Sequence, residues 1–135
     1  MALFDTDVLI DHLRGYKGAR ELLLKFKDEQ NYCSVITTGE LLFGMREHER
    51  KKTFALIESL EEVSVNKEIV RLAHGVKSRA RTKNIQLELN DCIIAATAIK
   101  FNQVLVTRNG KHYPDDRLTL FVPDYPLTRK DNSEK

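Results

Sequence analysis

Ala2-Leu3-Phe4-Asp5-Thr6-Asp7-Val8-Leu9-Ile10-Asp11-His12-Leu13-Arg14-Gly15 carries an apolar triplet, a polar break and a second apolar run. The triplet has the length and character of a buried strand, and the second run ends at a glycine, as short helices commonly do. Asp7 is the expected N-cap of that helix, because a carboxylate there accepts a free backbone N–H. Strand, tight turn and helix in immediate succession point to an α/β protein.

The same alternation continues outward. Residues 18–29 place Ala19, Leu22, Leu23 and Phe26 at helical spacing, after which 31–36 read as extended. A helix is predicted from Thr37 or Thr38, weakened near Gly44 and resuming over 52–60, before the strand-like Val63-Ser64-Val65. Asn66 caps an amphipathic helix running to about Lys83, with Ile69, Val70, Ala73, Val76 and Ala80 along one side. After a loop at 84–89, Asn90 is the expected cap of an alanine-rich helix over 91–100, and residues 103–107 and 118–122 read as further strands. Short apolar strands alternating with helices predict a mostly parallel sheet of four or five strands with helices on both faces, an α/β/α sandwich.

At 135 residues the chain suits one domain, taken here as residues 1–123, with the polar segment 124–135 expected to fray. No apolar run reaches the ~18 residues of a membrane span, and the N-terminus lacks the pattern of a secretory signal, so a cytoplasmic location is expected. Cys33 and Cys92 lie among apolar neighbours without His or Cys company, which reads as core rather than zinc or disulfide. A net charge of +2 is too small for gripping long nucleic acid by bulk charge, so any such role must rest on local patches.

In parallel α/β sheets, ligands bind outside the carboxyl ends of the strands. Asp5 and Asn109 follow predicted strands directly. Glu40 and Asp91 fall in the first turns of predicted helices, where backbone N–H groups favour a carboxylate. Clustered carboxylates repel unless a cation neutralises them, and an all-oxygen set favours Mg²⁺ or Mn²⁺.

The residues also carry a resemblance over roughly 3–121. Phe4-Asp5-Thr6-Asp7-Val8-Leu9-Ile10-Asp11 resembles the opening motif of PIN-domain ribonucleases of the VapC toxin type. Thr37-Thr38-Gly39-Glu40-Leu41-Leu42-Phe43-Gly44, Leu89-Asn90-Asp91-Cys92-Ile93-Ile94-Ala95-Ala96-Thr97-Ala98 and Val104-Leu105-Val106-Thr107-Arg108-Asn109 are similar to the second, third and fourth. The resemblance implies a PIN-like sandwich and metal-dependent endoribonuclease chemistry, with Asp5 and Asp91 as metal ligands. It further implies Glu40 in a second shell or at a second metal, and Asn109 as a weak ligand where many members have Asp. It also implies an RNA substrate, a small antitoxin of VapB type as partner, and a homodimer.

Blander readings compete at each residue. Asp7 reads as a cap alone, Glu40 as the end of a capping box begun by Thr37, Asp91 as a dipole-favouring residue, and Asn109-Gly110 as a turn. The basic run Lys77-Ser78-Arg79-Ala80-Arg81-Thr82-Lys83 reads either as an RNA contact or as a solvated helix end, and His112 as a loop anchor. At the level of the whole protein, a housekeeping PIN nuclease and a non-catalytic RNA- or protein-binding domain are the alternatives.

Overall fold

The computed structural model describes residues 1–128. Five strands, β1 (Ala2–Phe4), β2 (Asn31–Ser34), β3 (Glu61–Val63), β4 (Val104–Val106) and β5 (Thr119–Phe121), form one sheet in the order β3-β2-β1-β4-β5. Every pairing is parallel, with Leu3 opposite Leu105 and Phe4 opposite Val106. Six helices connect them: α1 (Thr6–Leu13), α2 (Lys17–Lys25), α3 (Val35–Gly44), α4 (Arg50–Glu58), α5 (Lys67–Thr82) and α6 (Leu89–Lys100).

Successive strand residues face opposite ways, and that period of two divides the core. Leu3 and Leu105 pack with Ile69, Ala73 and Val76 of α5 and Ile94 of α6 on one face. Phe4 and Val106 pack with Val8 and Leu9 of α1, Leu22 of α2, Leu41 of α3 and Leu56 of α4 on the other. The expected sandwich is therefore present, with five strands, all parallel. Cys92 through Ala98 of α6 are all buried, and small side chains at Ala95, Ala96 and Ala98 let this helix sit deep. Cys33 and Cys92 are free and buried, and burial pushes both thiols up.

Gly15, at φ +82°, ends α1 in a conformation that side chains other than glycine and asparagine strongly disfavour. Asn66 caps α5, its side chain accepting from Ile69 N–H at 2.9 Å.

Other helix starts differ from expectation. The N-cap of α1 is Asp5, not Asp7: its side chain accepts from Thr6 N–H at 2.8 Å, because the helix begins directly after the strand. Ser34 caps α3, accepting from Ile36 N–H at 3.1 Å. The helix thus starts two or three residues early, and Glu40 lies beyond its first turn and outside any capping box. The α6 helix starts at Leu89, with Glu88 at the N-cap position and no side-chain cap bond, leaving Asn90 inside the helix. The strand predicted at 63–65 lies instead at Glu61–Val63, on an edge where exposed Glu61 and Glu62 are tolerated and discourage further pairing.

Within the segment expected to fray, Tyr125 and Thr128 make contacts with the domain. The Tyr125 hydroxyl donates to Asp11 Oδ2 at 2.7 Å, its ring lies against Gly18 where a Cβ would collide, and Lys17 N–H donates to the Thr128 carbonyl at 3.0 Å. The expectation for 129–135 falls outside the described residues.

Candidate active site

The carboxyl ends of β1 and β4 are paired side by side, and residues of α3 and α6 meet them at one cavity. Asp5, Glu40, Asp91 and Asn109, the four residues singled out in the sequence, all line one cavity of about 240 Å³ there, together with Thr6, Asp7, His112 and Tyr113.

Asp5 is 5% exposed. Thr107 Oγ1 and the Tyr113 hydroxyl donate to its Oδ2 at 2.8 and 3.1 Å. Burial nevertheless pushes its carboxyl up, against the lowering effect of these bonds, and the Glu40 charge adds to the rise. Asp7 is pushed up to about 6, mainly by burial and then by the Asp5 charge. Half-buried Asp91 is raised by burial and by the charges of Asp5, Glu40 and Glu88, with His112 opposing. Tyr113, 3% exposed and facing this acidic group, has its hydroxyl pushed far above the ordinary phenol range, chiefly by burial, so it acts as a donor.

Glu40 is reached from two helices. Thr6 Oγ1 donates to Glu40 Oε1 at 2.6 Å and lies 2.9 Å from Thr37 Oγ1, which can donate to it in turn. Asn90 Nδ2 donates to Glu40 Oε2 at 3.2 Å. Thr6 and Tyr113 were missed in the sequence, and Asn90 was read as a cap. The available signals were Thr6 between two acids and Tyr113 beside the His112 loop. His112 itself is exposed on the cavity wall rather than serving as a buried anchor.

Asp7 does more than fill the first turn. Its Oδ2 accepts from Asn109 Nδ2 at 2.9 Å and from Arg108 N–H at 3.2 Å, while its Oδ1 is buried without a hydrogen-bond partner. Arg108 forms an ion pair with Asp11, which also accepts from Tyr125. Within the basic run, Lys77 donates to the Leu87 carbonyl at 3.1 Å and Arg79 pairs with Asp116 at 3.2 Å, so both serve the fold. A larger groove of about 540 Å³ shares Ile10 and Glu40 with the acidic cavity, and Arg14, Arg46, His48 and Lys52 line it.

Apart from the His112 imidazole on its wall, the cavity offers carboxylate, amide and hydroxyl oxygens, a set that fits a hard divalent cation. Among the described residues, no group of three or more His, Cys, Asp or Glu side chains is placed so that together, as they stand, they could hold a metal ion. The upward pressure on the neighbouring carboxyls of Asp5, Asp7 and Asp91 comes first from burial and then from repulsion by nearby acids.

Comparison with known proteins agrees with this geometry. The PIN domain pattern matches residues 2–114. Ribonuclease VapC10 of Mycobacterium tuberculosis is 39% identical over 115 residues, spanning 84% of this chain and 86% of the relative. A toxin-antitoxin complex from Klebsiella pneumoniae contains a chain superposing at TM-score 0.79 with 26% identity, over 93% of this chain and 100% of that one. A chain of VapBC2 from Rickettsia felis, bound to a promoter DNA fragment, shares the fold at TM-score 0.78 and 21% identity, over 91% and 98% of the two chains. With the pattern matched over most of its length and an acidic cavity at the ends of β1 and β4, the chain belongs to the PIN-domain family.

Proposed function

We propose that this protein is a Mg²⁺- or Mn²⁺-dependent endoribonuclease, the toxin of a VapBC-type toxin-antitoxin pair, acting in the cytoplasm on RNA phosphodiester bonds. The observation that carries the reading is the acidic, oxygen-rich cavity lined by Asp5, Glu40, Asp91 and Asn109. Relatives named ribonuclease VapC and structural neighbours solved as toxin-antitoxin complexes support it.

Asp5 and Asp91 would hold the cation, with Glu40 and Asn109 completing the oxygen set. When bound, a divalent ion polarises a phosphoryl oxygen and acidifies water at neutral pH. The chain's own residues do the rest. Thr107 and Tyr113 fix the Asp5 carboxylate, and Thr6 and Asn90 fix Glu40 so that it can accept a hydrogen bond from the attacking water. Arg14 and Arg46 neutralise backbone phosphates along the adjoining groove, which is how a chain of small net charge can still hold RNA. A small VapB-type antitoxin silences the site by covering it, most simply with an Arg guanidinium set against the carboxylates. The family resemblance also implies a homodimer.

The test is cleavage of RNA by purified protein with Mg²⁺ or Mn²⁺ and in excess EDTA, beside a Glu40→Gln variant. Wild type cuts only with metal. Glu40→Gln keeps its melting temperature, since the amide oxygen still accepts from Thr6 and the Asn90 amide can turn its oxygen to the new amide nitrogen, yet loses about a hundredfold in rate with the charge. Equal cleavage by both proteins in EDTA would overturn the reading.

A further inference from the structure

Asp7 and Asn109 are 102 positions apart and meet where both line the acidic cavity. An ionised carboxylate has no proton to donate, so the 2.9 Å contact fixes the Asn109 amide with its nitrogen toward Asp7. The Asn109 carbonyl is left as the free acceptor of a side chain on the cavity wall. Arg108 N–H holds the same Asp7 oxygen at 3.2 Å, which pins the backbone carrying Asn109. An acid at position 109 in this setting would place two carboxylates within hydrogen-bond distance of each other. The charge therefore sits on one side of the pair and the neutral ligand on the other.

Building on the metal-dependent reading above, we propose that Asp7 is the positioning partner of Asn109. It supplies the fourth negative charge of the cavity and turns the Asn109 carbonyl toward the cation, so the two together do what a single Asp at 109 would do. The neutral residue at 109 is then no loss of charge to the cavity, because the charge has moved to Asp7. Swapping the two side chains should preserve the function of the pair.

Mn²⁺ binding by isothermal titration calorimetry tests this on wild type, Asp5→Asn, Asp7→Asn, Asn109→Asp and the double variant Asp7→Asn/Asn109→Asp. Asp7→Asn keeps an amide oxygen able to accept from Asn109, so it removes charge while keeping the pin. It should weaken Mn²⁺ binding about tenfold and raise the metal-free melting temperature at neutral pH, because burial and the Asp5 charge no longer act against a charge at this position. Asn109→Asp alone should lower that melting temperature, since two carboxylates then face each other. The double variant should return Mn²⁺ affinity to within about threefold of wild type, because it restores one charge and one hydrogen bond. Asp7→Asn within twofold of wild type, or a double variant as weak as the single, overturns the proposal. If wild type binds no Mn²⁺, the metal site fails and the proposal falls with it. If Asp5→Asn loses binding and Asp7→Asn does not, only the proposal fails.

Discussion

Asp5→Asn is expected to lower RNA cleavage by about a thousandfold or more while leaving the metal-free protein folded and somewhat more stable. Loss of a carboxylate from a cation site removes several kcal/mol of transition-state stabilisation, and about 4 kcal/mol corresponds to three orders of magnitude. The fold tolerates the change because Asn fills the same space, and the Thr107 and Tyr113 hydroxyls can reorient to an amide. Stability rises because burial and the Glu40 charge both act against the Asp5 carboxylate, so its neutral replacement relieves strain. A gain of about 2–5 °C in the metal-free melting temperature is the expected size. Single-turnover cleavage and thermal unfolding on the same preparation check both halves, and a variant of near-normal activity would remove Asp5 from the chemistry.

The second large effect is on stability against pH. Asp5, Asp7 and Asp91 all have raised carboxyls, so the folded protein binds protons that the unfolded chain has released. Their contribution is fully present below the ordinary Asp value near 4 and is lost as pH climbs to the folded value, which for Asp7 is about 6. For Asp7 the loss is on the order of 2 kcal/mol once solvent screening is allowed for. Asp115 works the other way, its carboxyl held down by Arg117, and its contribution disappears below pH 4. Half-buried His12, its imidazole pushed down by burial, gains stability with rising pH over the same window, but three raised carboxyls outweigh one imidazole, so metal-free protein should be most stable near pH 4–5 and weaken toward neutrality. Saturating Mn²⁺ should flatten that decline, since the cation replaces the protons. Denaturant unfolding from pH 4 to 7.5, with and without Mn²⁺, measures it, and a metal-free protein that gains stability over pH 4–6 would contradict the electrostatic account.

Much of the fold was legible because it is written locally. Apolar triplets such as Leu105 between Val104 and Val106, and the 3–4 spacing of Ile69, Ala73, Val76 and Ala80, need only the periods of strand and helix to be recognised. The convergence of Asp5, Glu40, Asp91 and Asn109 was legible for a related reason, since a parallel sheet gathers its strand ends at one edge. Caps were misread where several good capping residues stand close together. Ser34, Thr37 and Thr38 are all suitable N-caps, and only the end of β2 at Ser34 decides among them. The residues that orient the carboxylates act across long separations, 34 positions for Thr6 to Glu40, 50 for Asn90 to Glu40 and 108 for Tyr113 to Asp5. No local pattern encodes such partners. Asp7 shows both effects, since a position ideal for a cap hid a bond to Asn109.

The most direct measurement is the anomalous scattering of Mn²⁺ in crystals of the metal-loaded protein. The account predicts a peak in the cavity at the ends of β1 and β4, at roughly 2.0–2.3 Å from carboxylate oxygens of Asp5 and Asp91, and its disappearance in Asp5→Asn. A peak held by other residues, with this cavity empty at saturating Mn²⁺, would contradict it.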